Sequence, residues 1–166
     1  MPFTLLLVAC LPLLSAAQAA ERPGDTAFAA AYQEQARTAI ALETESRSQI
    51  EIASDDERFD LYRAYDRFLG TWLQVERLQA QFDVVVDAGS AVEENAARTA
   101  LRDQAQFVIL ELEQTERDLA RHAAALKRPD QLRINQAIRR LLAQVRTAIG
   151  SLLSEQCAHL SCAPVS

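Results

Sequence analysis

At 166 residues, with 49 % apolar and 24 % charged side chains and only 4 Gly and 5 Pro, the chain has the length of one domain and a composition that favours long helices over strands joined by tight turns. Its formal charge of −6, from 23 acidic against 17 basic side chains, excludes a protein that tracks a nucleic-acid backbone, which needs a concentrated positive footprint. Arg133, Arg139, Arg140 and Arg146 make the last segment basic, and among Glu-rich neighbours such residues are read as pairing across helices.

The first twenty residues stand apart. Phe3 to Leu14 is almost wholly apolar and passes through small residues to Ala17, Gln18 and Ala19, an Ala-x-Ala pattern followed by Glu21 and Arg22. This predicts a signal peptide over 1–19, cleaved after Ala19, and hence a secreted or periplasmic protein. The run is shorter than the roughly 20 apolar residues that span a bilayer, and nothing later in the sequence is a candidate span. Leu7, Val8, Ala9 and Cys10 resemble the lipobox of bacterial lipoproteins, which implies an acylated Cys10 as a rival route. The apolar stretch continues past Cys10 to Leu14, and this fits cleavage after Ala19 better. Lys127 is the single lysine among the basic residues, a usage that points to a GC-rich bacterial genome.

Four helices are predicted. Asp25 is placed as the N-cap of a helix over 25–53 with the stripe Phe28, Tyr32, Ala36, Ala39, Leu42 or Glu43, Ser46, Ile50 and Ala53. Its alanines bury little area, so this helix is expected to be the least tightly held. Ser54 and Glu57 fit a capping box that starts a second helix over 55–86. Without a Gly or Pro at that boundary, the competing arrangement is one helix over 25–86, roughly 90 Å long.

The second helix carries six of the ten aromatic residues, and its stripe Leu61, Tyr65, Phe68, Trp72, Val75, Gln79, Phe82, Val86 steps 4, 3, 4, 3 throughout. That is the seam of a helix packed lengthwise against others. Gly70 falls outside it. Gly89 is expected to end this helix in the left-handed conformation, and Ser90 with Glu93 repeats the capping box. A third helix over 91–127 has the stripe Leu101, Ala105, Val108, Leu112, Thr115, Leu119, His122, Leu126, and Pro129 forbids its continuation. The fourth, over 131–156, has Ile134, Ile138, Leu141, Val145, Ala148 and Leu152, widened by Leu142, Ile149 and Leu153. Short connections make successive helices antiparallel. The expected fold is all-α, a single-domain up-down four-helix bundle over 20–166.

Two cysteines follow the last helix, Cys157 and Cys162. In an oxidising compartment they predict a disulfide hook, contributing about 2 kcal/mol in the loop-entropy model. On a continuous helix their Cα atoms would be about 8 to 9 Å apart, beyond disulfide reach, so the helix must end between them. With His159 they could instead offer soft ligands to copper or zinc, but a fourth ligand is missing in sequence.

Other chemistries lack their residues. A di-iron bundle needs Glu-x-x-His, yet Leu119 precedes His122 by three and Gln156 precedes His159 by three. No Cys-x-x-Cys-His is present, and Met1, the single methionine, lies in the signal segment. Asp118 one turn before His122 has the spacing of a general base with its carboxylate, although a hydrogen-bonded boundary histidine is the plainer reading. Gln79, Thr115, Ser46 and Gln35 place polar groups on inward stripes, where they set register or line a small-ligand pocket. No catalytic, cofactor-binding or metal-ligating set is assigned. The sequence reads as a non-enzymatic secreted or periplasmic bundle that acts on another protein as adaptor, chaperone or scaffold. The alternative is a bundle that binds a small ligand or metal between helices, around Gln79, Thr115 and His122.

Overall fold

The computed structural model describes residues 23–159, which form four α-helices and no strand: α1 (Pro23–Ile52), α2 (Asp55–Val86), α3 (Ala91–Ala123) and α4 (Pro129–His159). They pack as a helical bundle, α1 against α2 and α4, and α3 against α2 and α4. The α1–α2 contact is the least extensive of the four, while α1 packs on α4 about as extensively as α3 does, so the Ala-rich stripe does not leave α1 loose on every side. No helix among the described residues is long and apolar enough to cross a membrane. Segment 1–19, with Cys10, and residue Cys162 lie outside the described residues, and with them the expected cleavage site and the Cys157–Cys162 pair. Cys157 itself is half-buried within α4, which continues past it to His159.

The helix boundaries follow local chemistry, with five departures from expectation. Ser54 is extended (φ −62°, ψ 160°) and separates α1 from α2, but its hydroxyl donates to the Glu57 carboxylate (3.0 Å) instead of capping the amide. The capping box forms at Ser90, where the Glu93 amide donates to Oγ (3.3 Å). Its return arm reaches the Gly89 amide (3.1 Å), and Gly89 does not adopt the left-handed conformation.

The third helix stops at Ala123, short of Lys127. Ala124, Ala125 and Leu126 bond to carbonyls three residues back, the tightened turn in which helices often end. Pro129, predicted only as a stop, is the first residue of α4, a position that suits its missing N–H and fixed φ. Asp25 likewise lies inside the first turn of α1, and its carboxylate is engaged elsewhere.

The core follows the inward stripes with one drift. On α2 the buried residues are Tyr65, Phe68, Thr71, Trp72, Val75, Leu78, Phe82 and Val85, so Leu78 and Val85 replace Gln79 and Val86. The seven-residue repeat itself holds, with Phe68, Val75 and Phe82 on one line and Thr71, Leu78 and Val85 on the line three residues further on, so the buried face turns toward that second line. On α3 the expected stripe holds from Leu101 to Leu119. Two aromatic pairs fasten α1 to α2: Phe28 meets Phe82 edge to face at 5.3 Å, and Tyr32 stacks on Trp72 at 6.2 Å and 4°. Each such pair stabilises by about 0.5–1.5 kcal/mol beyond area burial. The first half of α1 is therefore better held than its alanines suggest.

Candidate functional site

Near the α1–α2 turn all four helices converge on a cavity of about 30 Å³, walled by Leu61, Ala64, Leu119, Leu126, Ile134 and Ile138. Set into this apolar lining are five polar side chains, Ser46 and Gln49 from α1, His122 from α3, and Gln131 and Asn135 from α4. Ser46 Oγ, Gln49 Oε1, His122 Nε2, Gln131 Nε2 and Asn135 Oδ1 are buried and have no hydrogen-bond partner among the described residues. Ser46, Gln131 and Asn135 are 6 %, 3 % and 4 % exposed. Leaving a buried polar atom unpaired costs about 1–3 kcal/mol, so five at one place call for bound water or a ligand to pair with them. The other half of Asn135 is fixed, its Nδ2 donating to the Leu119 carbonyl (3.1 Å), and this ties α4 to α3 beside the cavity.

Tyr65 stands at the rim. Its hydroxyl accepts from Arg47 Nε (2.6 Å) and lies 3.4 Å from Glu43, which pairs with Arg47 at 2.7 Å. On the other side a charged groove runs along α2 and α3, sharing Ala64, Leu119 and His122 with the cavity and adding Arg63, Arg67, Asp118 and Arg121. Burial tends to raise the Asp118 carboxyl, but the Gln114 amide (2.9 Å) and the guanidiniums of Arg121 and Arg67 (the latter at 3.4 Å) outweigh it and hold the group below the usual carboxylate range. Asp118 is thus committed to cations, and no hydrogen bond joins it to His122. The acid–base spacing read from sequence does not assemble.

The residues expected to line a ligand pocket separate. His122 and Ser46 reach the cavity; Gln79 and Thr115 do not. Gln79 is half-exposed and donates to Asp83 (2.8 Å). Thr115, fully buried, pairs with Thr71 at 2.7 Å, and because the Thr71 hydroxyl donates to the Arg67 carbonyl (3.1 Å), Thr115 is the donor between them. That pair is a satisfied link between α2 and α3. Gln35 is half-buried on α1.

Gln131 and Asn135 escaped the sequence reading. Stepping the α4 stripe back by seven and by three from Ile138 would have found them.

The opposite end carries a charged network. Arg98, 4 % exposed, donates to Asp25 (3.0 Å), to Glu94 (2.8 Å) and to Gln156 Oε1 (2.9 Å), while Gln156 Nε2 donates to Asp25 (3.2 Å). The ring closes across α1, α3 and α4. Its groups satisfy one another, so it has the form of a register device and offers nothing to a ligand. Among the described residues no three His, Cys, Asp or Glu side chains group closely enough to hold a metal ion. The Cys157, His159 and Cys162 set lies partly outside the described residues. No protein-family model matches this chain, and comparisons with curated proteins and with solved structures find no match.

Proposed function

We propose that this chain is a non-enzymatic helical bundle of the bacterial envelope that presents a helix face to another protein, as an adaptor, chaperone or scaffold. One observation carries the reading: a second apolar line on α2, opposite its buried seam. Tyr62, Leu73 and Val84 are 57 %, 53 % and 54 % exposed. They lie 11 residues apart, and 11 residues make three turns, so the three align along about 33 Å of one side of the helix. Scattered exposed apolar residues are ordinary, but half-buried Leu69 and exposed Ala80 fall on the same side and bring the spacing to 7, 4, 7, 4, the i, i+4, i+7 pattern by which helices recognise partners. Phe59, 71 % exposed, extends the line at one end.

Export is supported by the signal-like segment 1–19, and by no feature of the described helices. The reading takes the bundle as one antiparallel up-down-up-down domain. Support comes from the pairing of early α1 with late α2 at Phe28–Phe82, of α2 with α3 at Thr71–Thr115, and of late α3 with early α4 at Leu119–Asn135. Replacing Tyr62, Leu73 and Val84 together by Ser tests the reading. The variant should keep the helical circular dichroism and melting temperature of the parent and lose a partner that crosslinks to the parent in the envelope. An unchanged crosslinking pattern would remove the surface from consideration.

A second reading, binding of a small molecule between the helices, is favoured by the unpartnered polar atoms of the cavity. It needs no competition with the first, because Tyr62, Leu73 and Val84 do not line that cavity.

A further inference from the structure

The cavity's own chemistry restricts what it could hold. Its walls contain no Asp, Glu, Lys or Arg. Charges beside it are engaged with one another, Glu43 with Arg47 next to Tyr65 and Asp118 with Arg67 and Arg121 in the outer groove. An ion placed between Leu119, Ile134 and Ile138 would be desolvated with no carboxylate, ammonium or guanidinium in the lining to neutralise it, which is costly.

The hydrogen-bonding groups impose the complement. Gln49 Oε1 and Asn135 Oδ1 can only accept, Gln131 Nε2 can only donate, and Ser46 Oγ and His122 Nε2 can serve either role. A ketone or ether would satisfy the donor and leave both acceptors bare. A molecule with N–H or O–H donors and an acceptor oxygen on one small head would pair with all of them.

The volume of about 30 Å³ exceeds the roughly 10–15 Å³ that one water needs, so a polar head of two or three heavy atoms fits inside and the apolar end of such a molecule lies against the leucine and isoleucine walls. His122 stands between the cavity and the outer groove.

We propose that this cavity is a binding site for a small uncharged molecule bearing both hydrogen-bond donors and acceptors, of the carboxamide or hydroxyl class, held by Ser46, Gln49, His122, Gln131 and Asn135. The inference rests on the ligand-binding reading given above and adds the site and the class.

The test is a set of three isosteres, acetamide, acetate and acetamidinium, titrated into the full mature chain while the side-chain amides and the His122 imidazole are followed by nuclear magnetic resonance. Acetamide should produce saturable shifts at the Gln49, Gln131 and Asn135 amides, with acetate and acetamidinium producing none. Ser46→Ala should weaken acetamide about fivefold or more, as loss of one hydrogen bond implies. Asn135→Leu should abolish the saturation; because it also breaks the tie to Leu119, Ser46→Ala is the variant that decides if the Leu variant fails to fold. Saturation by acetate or acetamidinium as strongly as by acetamide would overturn the class and leave ligand binding standing. Linear, non-saturating shifts from all three would mean that the cavity holds water only, and would overturn both.

Discussion

Arg98→Ala is the sharpest single perturbation of the fold. The guanidinium is 5 % exposed and its partner Asp25 14 %, so water cannot replace the lost contact. Truncation leaves the Asp25 carboxylate and the Gln156 amide, itself 1 % exposed, facing each other without the cation that organised them. Breaking a buried ion pair by removing one partner costs about 3–5 kcal/mol. Against a total of about 5–15 kcal/mol for an ordinary domain, that is a large fraction. At about 2–4 °C per kcal/mol for a chain of this size, the melting temperature should fall by roughly 6–20 °C.

Urea unfolding read by circular dichroism and by the fluorescence of Trp72, the single tryptophan, measures it. The companion variant Arg98→Met with Asp25→Leu and Gln156→Leu removes the polar ring altogether and should recover most of the loss, because apolar replacement of a buried pair is often neutral or better. A loss below about 1 kcal/mol in Arg98→Ala, the range of an exposed pair, would refute the claim that this network ties α1, α3 and α4 together.

Three further outcomes follow from named contacts. Gly70 is exposed in the middle of α2 and a Cβ there meets nothing within 4 Å, so Gly70→Ala should stabilise by about 0.5–1 kcal/mol in the same urea assay. Asp118 has a depressed folded-state pKa, so its contribution is present above the unfolded carboxylate value of about 3.9 and disappears as pH falls through the folded value. The stability gap between the parent and Asp118→Asn should therefore be constant at neutral pH and close progressively below pH ~4, as pH-dependent urea melts would record. Thr115→Val should cost about 1 kcal/mol by ending its bond to Thr71, and Thr71→Val in the same chain should bring little added loss, as a double-mutant cycle would report.

Helix number and the buried stripes were legible in the sequence because apolar spacing is a local signal that survives into the core, as Phe68, Trp72 and Val75 on α2 illustrate. Which neighbouring line shares that seam was not, since Thr71, Leu78 and Val85 keep the same seven-residue spacing as Gln79 and Val86, and the repeat alone does not choose between them. Caps were legible where the side chain had no better use, at Ser90, and illegible at Asp25, whose carboxylate is taken by an arginine 73 positions away. The same distance hides the candidate site. Ser46 and His122 could be suspected from their own stripes. Their meeting with Gln131 and Asn135, however, depends on four helix ends arriving at one place. The aligned residues Tyr62, Leu73 and Val84 were missed for another reason: the dominant seam absorbs attention, and an 11-residue spacing appears only when the other side of α2 is read separately.

The most direct test of the proposed interaction is site-specific photocrosslinking in the native host, with the photoreactive residue placed in turn at Leu73, at Tyr62, and at the exposed control positions Arg140 and Thr147 on α4. The account predicts one discrete adduct of the same mass from Leu73 and Tyr62 and none from the controls. Equal adducts from all four positions, or none from any, would contradict it.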